Sequence, residues 1–395
     1  MPAPAEIIRP RTPTLQEILL GRRERDVLTA ADRRALAGQS VLVTGAGGSV
    51  GSELIRLVTG CRPARLVAFE QSEYNLFRLE GEVRAGFPAI PFEPFLGDVT
   101  RVADVEQAMR LFRPDVVYHA AAYKHVTMAE RAVIGTIRTN VFGTRIVARA
   151  TEEHGARLVL VSTDKAAQPA SVMGATKRFA ELVALESAAA GRVTAVRFGN
   201  ILGSSGSLLE LMLERLRDGL PIELTDRDAT RYFMTPREAV SLIAKADLLG
   251  QNRETYWLDM GEPVRIVDLT ERLLAWGESV GFARVPVRFV GLRPGEKLRE
   301  ELTTQGIELR RTRHRRIWMA RQPAPDHETT RRVLKALAAD LKRGDAMTAL
   351  ADLCAAVPEY SPSREARRDA MASALALRTA SERRLSAGRR PRPAA

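Results

Sequence analysis

The sequence predicts an α/β fold with a doubly wound parallel sheet and a smaller mixed α/β substrate domain beside it. From Gln39 the chain alternates short apolar runs with longer helical patterns, and the apolar runs lack a polar face. Strands buried on both faces and separated by helices indicate a parallel sheet covered on both sides. Right-handed crossovers make such a sheet doubly wound, with its ligand crevice at the carboxyl ends of the strands.

The elements of this sheet follow one another in chain order. Strands are predicted in "SVLVTGA", "RLVAFE", the run that ends in "LGDV", "DVVYHAAA", "RLVLVST" and "VTAVRFGN". Helices are predicted in "SVGSELIRLVTG", "SEYNLFRLEGEVRAG", residues 136–155 and "GATKRFAELVALESAAAG". After Asn200 the alternation ends, and "LLELMLERLRDG" predicts an amphipathic helix.

These patterns divide the chain into five parts. They are an N-terminal arm at 1–38, a nucleotide-binding domain at 39–200 and about 230–262, a substrate domain at 201–229 and 263–325, C-terminal helices at 326–360, and a basic tail at 361–395. In the arm, "TLQEILLGR" is apolar enough to pack on a neighbouring surface. The tail is predicted as a frayed helix and a disordered end.

Composition narrows the class of protein. The net charge is +12, and residues 361–395 hold nine Arg against three acids, so half of the excess lies in the tail. Because no aromatic residues are interleaved with these arginines, nucleic-acid binding is disfavoured, and polyanion binding stays an alternative to a solubilising tail. Two distant cysteines, no secretory signal and no apolar window of about 18 residues predict a cytoplasmic chain without a membrane span. No His/Cys cluster has metal-ligand spacing, so no metal site is predicted.

A glycine-rich turn follows the first predicted strand. Gly45, Gly48 and Gly51 fit the spacing G-x-x-G-x-x-G between an apolar strand and a helix. Such glycines let the backbone approach a pyrophosphate at the positive end of the helix. We predict a dinucleotide site that includes Ser49 and Val50, with a purely structural turn as the alternative.

Glu70 ends the second strand, 19 residues after Gly51. An acid at this place accepts from the adenosine ribose and repels a 2′-phosphate, so NAD is favoured over NADP. The alternative is a solvated glutamate at a strand end. Four further residues at strand ends are assigned to the cofactor by position: Asp98, Val99, Ala120 and Ala121.

The fifth strand ends in Thr163, Asp164 and Lys165, which supply a hydroxyl, a carboxyl and an amine. A helix follows with Met173 and Lys177 four residues apart on one face. A thioether cannot exchange a proton, so any acid–base chemistry at this point belongs to other side chains. The alternative is a helix cap with surface lysines.

Motifs from about residue 14 to 320 carry a family resemblance: "LLGR", "TGAGGSVGSEL", "HAAAYKHV", "TNVFGT", "VSTDKA", "MGATKR", "RFGNILGSSGS", "TRYFMT", "LDMGEPVRIVDL" and "GLRPGEKL". Because of these motifs, the chain resembles sugar-nucleotide 4,6-dehydratases of the extended short-chain dehydrogenase/reductase superfamily, which have a Rossmann fold. More narrowly, it is similar to the capsular-polysaccharide type acting on UDP-N-acetylglucosamine. Met in place of a catalytic Tyr is typical of the long membrane-anchored members, so the chain resembles their catalytic domain in a soluble form.

The resemblance implies a reaction and roles for each residue. NAD⁺ accepts the C4 hydride of the sugar, the C5 proton and C6 hydroxyl leave, and the hydride returns to C6. Lys165 would be the C5 base, provided that a neighbouring cation and desolvation lower its pKa. Asp164 would be the acid at the C6 oxygen and Thr163 would hold the C4 oxygen. Lys177 would bond the nicotinamide ribose, and Met173 would shape the pocket.

The resemblance also implies contacts with a UDP-sugar. Arg231 and Arg293 are candidate diphosphate clamps because a guanidinium pairs two oxygens at once. Surface ion pairs are the alternative for both. The remaining candidates border the sugar, the diphosphate or the uridine: Lys124, His125, Asn200, Ser205 and Glu296. Asn140 either anchors backbone near the site or is simply packed.

Several alternatives stay open. Segments 127–135 and 217–229 depart from the family wording, so the identity of the sugar is open. The chain could be a UDP-sugar epimerase, or a sugar-nucleotide-binding protein that has lost catalysis. The resemblance favours retention at C5 and a homodimer.

Overall fold

The computed structural model describes residues 13–187, 192–250, 253–301, 307–321 and 326–387. Its strands within these ranges are β1 Ser40–Thr44, β2 Arg65–Glu70, β3 Phe92–Leu96, β4 Val116–His119, β5 Arg157–Val161, β6 Val193–Arg197, β7 Asn200–Ile201, β8 Ile222–Leu224, β9 Thr230–Arg231, β10 Phe233–Met234, β11 Glu254–Leu258, β12 Val264–Arg265, β13 Val287–Phe289, β14 Arg310–Arg311 and β15 Ile317–Arg321.

Fifteen α-helices lie in the described ranges and are numbered in chain order. They are α1 Leu15–Leu20, α2 Ala30–Leu36, α3 Ser49–Thr59, α4 Glu73–Gly86, α5 Val102–Phe112, α6 Val126–Arg131, α7 Val133–Ile137, α8 Thr144–Glu153, α9 Val172–Glu186, α10 Leu208–Arg217, α11 Pro236–Leu249, α12 Ile266–Ser279, α13 His327–Arg343, α14 Ala346–Ala356 and α15 Arg364–Ala387.

The central sheet has nine strands in the order β14-β15-β11-β6-β5-β4-β1-β2-β3. Strands β1 to β6 and β11 are parallel, whereas β15 and β14 are antiparallel additions at one edge. The chain starts in the middle of the sheet and winds outward in both directions. The predicted doubly wound α/β fold is confirmed.

The apolar strands have no polar face because both faces of the sheet are covered. In β1, Val41 and Val43 join one hydrophobic cluster with α3 and α11, whereas Leu42 joins the cluster on the opposite face. Alternate side chains of a strand point to opposite faces, so a run of consecutive apolar residues fills two cores at once.

The second half of the chain forms smaller pairs of strands, β7 with β10, β9 with β12, and β8 with β13. A separate hydrophobic cluster joins α10, α12 and β8 to the N-terminal arm through Leu19, which is fully buried. Arg272 donates to the Leu19 carbonyl at 2.8 Å, so the arm is tied to α12 as well as packed on it. The division of the chain into domains stays a prediction.

One predicted helix, residues 136–155, is interrupted. Helix α7 ends at Ile137, a π-helical turn covers Arg138–Gly143, and α8 begins at Thr144. The turn holds Asn140, which accepts from the Tyr123 amide at 2.8 Å and donates to the Tyr123 carbonyl at 3.1 Å. Asn140 therefore anchors the backbone after β4, and π turns of this kind often occur at functional sites.

The C-terminal tail is more firmly packed than predicted. Residues 364–387 form α15, and Ala366 and Ala370 are buried in the cluster that contains α9, α13 and α14. Small alanines on one helical face allow this close packing, which the arginine-rich composition conceals. A helix is present in this part as predicted, but its first turns are docked and not frayed; residues 388–395, where the disordered end was predicted, lie outside the described ranges. No helix in the described part of the chain is long and apolar enough to cross a membrane.

Candidate active site

The site is built where the parallel strands end. Pairing sets Thr44 of β1 opposite His119 of β4, and Val161 of β5 opposite Val196 of β6. The loops that follow these strands therefore meet at one edge of the sheet. His119 is fully buried between the hydroxyls of Thr44 and Thr144, at 2.7 and 3.0 Å. Burial, aided by the charge of Lys177, lowers the pKa of His119 to about 3, so this histidine is neutral.

The glycine-rich turn is required by the geometry of the backbone. Gly45 has φ of 64°, and a Cβ on it would lie 2.7 Å from the Cα of Ala121. A Cβ on Gly51 would lie 2.1 Å from the Gly45 carbonyl oxygen. Helix α3 begins at Ser49, and within the described residues no side chain caps its first turn. The turn thus brings backbone amides to the mouth of the crevice, as a phosphate site needs.

A cavity of about 160 Å³ lies beside this turn. It is lined by Gly45, Gly48, Phe69, Glu70, Gln71, Asn75, Gly97, Val99, Ala120, Ala121, Ala122, Tyr123 and Thr139. Six of the predicted cofactor residues are in this set. Of the others, Ser49, Val50 and Gly51 are in α3, Lys177 is in α9, and Asp98 accepts from the Thr100 amide at 2.8 Å within its own turn. Sequence reasoning missed the lining residues of α4 and of the π turn, because only the fold brings them to this cavity.

Glu70 is a buried carboxylate, with 6% of its surface exposed, so the alternative of a solvated strand end is wrong. It accepts from the Gly47 amide at 2.9 Å and from the Ser72 amide at 2.9 Å. These bonds fix the carboxylate at the end of β2, on the wall of the cavity.

The hydroxyl, carboxyl and amine predicted to act together are in contact. Asp164 is 2% exposed, and its Oδ1 accepts from Thr163 Oγ1 at 2.9 Å and from Lys165 Nζ at 3.1 Å. Its Oδ2 is buried, and no donor in the described part of the chain reaches it. A buried carboxylate oxygen without a partner is costly, so it marks a place where a ligand group would be bound.

Lys165 sits in a polar cage that the sequence did not reveal. Its Nζ lies 3.1 Å from Asn200 Oδ1 and 3.2 Å from Glu300 Oε1, in addition to Asp164. Glu300 also approaches Arg231, with 3.6 Å between Oε1 and Nε. Asn200 and Arg231, which are predicted to contact the substrate diphosphate, thus both lie in the group around the amine.

The expected lowering of the Lys165 pKa is wrong. Burial alone would lower it, but the negative charges of Asp164 and Glu300 outweigh burial and the repulsion from Arg231, and the pKa is raised. Lys165 is therefore an ammonium ion in this arrangement.

Helix α9 places Lys177 and Met173 behind the cluster. Lys177 Nζ donates to the Val161 carbonyl at 2.7 Å, and burial lowers its pKa to about 8 although Glu181 opposes the shift. Met173 is 4% exposed and packs with apolar residues of α6, α7 and α9. A Cβ on Gly174 would lie 2.5 Å from the Lys165 carbonyl oxygen, so the helix can approach the turn that carries Lys165 only with glycine at this position.

A buried ion pair lies next to the strand ends that carry the cluster of Thr163, Asp164 and Lys165. Arg197 and Glu181 are both buried, with contacts of 2.7 Å from Nε to Oε1 and 2.6 Å from Nη2 to Oε2. Ser162 donates to the same carboxylate at 2.5 Å, and the Arg197 guanidinium lies 4.8 Å from the Trp257 ring centroid. The pair joins the ends of β5 and β6 to α9. No local sequence motif predicts this ion pair.

The remaining predicted substrate residues lie around the mouth of the crevice. The Ser205 amide donates to Ser49 Oγ at 2.9 Å, which joins the loop after β7 to the start of α3. Lys124 and His125 are exposed, and the His125 ring faces Gly206 of that loop. Arg293 and Glu296 share one turn, through a 3.2 Å bond from the Arg293 amide to Glu296 Oε2. This turn rests on α6 and the start of α9, because the Gly295 Cα faces Val126 and Ser171.

Within the described residues, no group of three or more His, Cys, Asp and Glu side chains could hold a metal ion.

Comparison with known proteins agrees with this architecture. Residues 41–322 match the family described as polysaccharide biosynthesis protein. The probable polysaccharide biosynthesis protein EpsC of Bacillus subtilis is 40% identical over 292 residues, and the capsular polysaccharide biosynthesis protein CapD of Staphylococcus aureus is 41% identical over 295. Each match covers 72% of this chain and 48% of the relative, so the chain spans about half the length of these two proteins.

More distant relatives have names that state a reaction. The UDP-N-acetylglucosamine 4,6-dehydratase (inverting) of Campylobacter jejuni is 28% identical over 66% of this chain and 76% of its own. A UDP-glucose 4-epimerase of Rickettsia canadensis is 26% identical over 67% of this chain and 78% of its own.

Two solved structures are similar along most of their length. Pen from Bacillus thuringiensis superimposes with a TM-score of 0.68 and 28% identity, covering 73% of this chain and 89% of that one. The second is a double mutant of DesIV, a dTDP-glucose 4,6-dehydratase from Streptomyces venezuelae, solved with NAD and DAU bound. It superimposes with a TM-score of 0.59 and 26% identity, covering 67% of this chain and 88% of that one. The family match spans the sheet, the glycine turn and the cluster of Thr163, Asp164 and Lys165 alike: the chain belongs to the polysaccharide biosynthesis protein family.

Proposed function

We propose that the chain is an NAD-dependent sugar-nucleotide 4,6-dehydratase. Its proposed substrate is UDP-N-acetylglucosamine, which it converts to the UDP-4-keto-6-deoxy-N-acetylhexosamine. The observation that carries the proposal is the Asp164 carboxylate, which binds Thr163 and Lys165 through one oxygen and leaves the other buried without a partner among the described residues. Elimination of water needs an acid and a base side by side, and this cluster supplies both.

The residues around the cavity fit NAD. The glycine turn leaves space that a Cβ would fill, and Glu70 is held beside it by two backbone amides. When bound, NAD would supply the acceptor for the C4 hydride and its donor at C6. Lys177 would lie at the nicotinamide ribose, because it is anchored at the end of β5 by the Val161 carbonyl. DesIV, a structural neighbour at 26% identity, was solved with NAD bound.

The side chains divide the proton transfers among themselves. Thr163 holds the C4 oxygen, and Asp164 takes up the proton of the C4 hydroxyl. Asp164 then gives this proton to the departing C6 hydroxyl, which leaves as water. Lys165 first releases its ammonium proton to solvent and, as the free amine, removes the C5 proton. It later returns this proton to C5 and is protonated again from solvent. The substrate thus loses one water in total, and each side chain ends in the protonation state in which it began.

Around this centre, Lys124, His125, Asn200, Ser205, Arg231, Arg293 and Glu296 are proposed to bind the UDP-sugar. The turn at 293–296 supports this proposal, since it rests on α6 and α9 at the mouth of the crevice. We further propose a homodimer and a cytoplasmic location for the reaction.

UDP-sugar epimerisation is the second candidate function, because the Rickettsia canadensis epimerase is among the relatives. An epimerase borrows the same hydride but eliminates nothing. Incubating the purified chain with NAD and UDP-N-acetylglucosamine separates the two by mass spectrometry. We expect a product lighter than the substrate by one water. A product of unchanged mass would favour the epimerase, and NAD binding without turnover would indicate a protein that has lost catalysis.

Replacing Met173 with leucine is expected to leave turnover close to that of the wild type. The side chain is buried among apolar residues, and a Leu of similar volume should cost less than about 1.5 kcal/mol of stability. Met109→Leu, in a different hydrophobic cluster, is the matched packing control. A loss of turnover of about tenfold or more in Met173→Leu alone, with the fold intact, would show that the thioether takes part in catalysis and does more than shape the pocket.

A further inference from the structure

Glu300 is a buried carboxylate that the proposed reaction does not use. Its side chain is 6% exposed and comes from a segment 135 positions after Lys165 in the sequence, yet it lies 3.2 Å from the Lys165 amine. The same oxygen lies 3.6 Å from Arg231 Nε. A carboxylate this well buried is held by its charged partners and not by solvent.

The backbone around Glu300 is fixed to the sheet pair that carries Arg231. The Thr230 amide donates to the Leu298 carbonyl at 3.0 Å, Arg231 Nη1 donates to the same carbonyl at 3.2 Å, and Thr230 forms a β-bridge with Arg299. These bonds set the position of the segment directly before Glu300. The contact with Lys165 is therefore part of a built arrangement.

The charges around Lys165 suggest an order of events. Among the described residues, the charged groups that face it are Asp164 on its own turn, Glu300 from the segment after Arg299, and Arg231 on β9. As an ammonium ion, Lys165 donates to Asp164, which is the proposed acceptor of the C4 hydroxyl proton. When Asp164 becomes neutral, Glu300 is the carboxylate of this group that still holds the ammonium.

Resting on the proposed function, we propose that Glu300 is a positioning residue for the elimination step. It holds Lys165 in its ammonium form between two carboxylates and so decides how readily Lys165 becomes the free amine that removes the C5 proton. The raised pKa of Lys165 agrees with this geometry.

The test compares Glu300→Gln with Glu301→Gln, a neighbouring carboxylate that is half exposed and paired with Lys297 instead. C5 deuterium uptake from UDP-N-acetylglucosamine is followed from about pH 6 to about pH 10 in deuterated water. In Glu300→Gln we expect the alkaline rise of the rate to move to lower pH by about one to three units, since an opposite charge at this distance is removed. Glu301→Gln should superimpose on the wild type. If the rate of Glu300→Gln falls equally at every pH and the profile does not shift, Glu300 has only a structural role and the proposal is overturned.

A second measurement does not depend on turnover. Titration of the Lys165 Nζ by nitrogen NMR, assigned with Lys165→Arg, should show deprotonation at lower pH in Glu300→Gln than in the wild type, in folded protein with NAD present. If no turnover is seen but the NMR midpoint moves, the reaction is wrong and the role of Glu300 stands. If Lys165 Nζ deprotonates at the same pH in Glu300→Gln and in the wild type, the role proposed for Glu300 is wrong, whichever reaction the protein catalyses.

Discussion

Lys165→Ala is expected to lower formation of the dehydrated product by about 10²–10⁴-fold, the usual contribution of a positioned general base. Lys165 is the amine that contacts Asp164, and its removal leaves the C5 proton without an acceptor. The sugar should still be oxidised at C4, so the block falls after the first hydride transfer. The measurement is product mass together with the absorbance of the reduced cofactor under single-turnover conditions.

Two variants sharpen this result. Lys335→Ala removes an exposed lysine of α13 and should behave as the wild type. Asp164→Asn should block earlier, before the cofactor is reduced, because the acceptor of the C4 hydroxyl proton is lost. Full activity of Asp164→Asn would mean that the proton route through this carboxylate is wrong.

Arg197→Ala is expected to have the largest effect on stability, a loss of about 3–5 kcal/mol, since it leaves a fully buried carboxylate without its main cation. Arg178 remains 3.4 Å from Glu181, so some compensation persists. Thermal unfolding of the two proteins gives the difference. Replacing both partners, as in Arg197→Met with Glu181→Leu, should recover most of the loss, because packed apolar side chains avoid the cost of buried charge.

The same pair predicts a pH dependence. Burial raises the pKa of Glu181, but Arg197, Arg178 and Ser162 outweigh it, and the pKa is lowered. A lowered carboxyl pKa contributes stability at neutral pH that is lost as the pH falls through the folded-state value. In Arg197→Ala the carboxylate keeps its burial and loses its main cation, so protonation relieves the cost of the buried charge. We expect a larger difference in Tm at about pH 8 than at about pH 5, and equal differences at both would contradict this role of the pair.

The sheet and the cofactor cavity were predictable because their signals are local. Apolar runs without a polar face give buried parallel strands, and the glycine spacing follows from a turn in which Gly51 approaches the Gly45 carbonyl. The cluster of Thr163, Asp164 and Lys165 is contiguous, so its proximity needed no knowledge of the fold.

The features that escaped prediction depend on distant contacts. Glu300 reaches Lys165 across the site, and Asp164 together with Glu300 raises the pKa of the lysine instead of letting burial lower it. Glu181 and Arg197 meet only because α9 packs across β6. Helix α15 was predicted as a frayed helix and not as a docked one, because the few buried alanines that dock it are a weak signal in sequence.

One measurement tests the central claim, that Asp164 and Lys165 carry out an elimination without a tyrosine. The purified chain, NAD and UDP-N-acetylglucosamine are incubated in deuterated water, and the product is examined by NMR. We expect a C4 ketone, a methyl group at C6 and deuterium at C5, since the ammonium protons of Lys165 exchange with solvent. A product that keeps its C6 hydroxymethyl group and differs from the substrate only at C4 would contradict the claim.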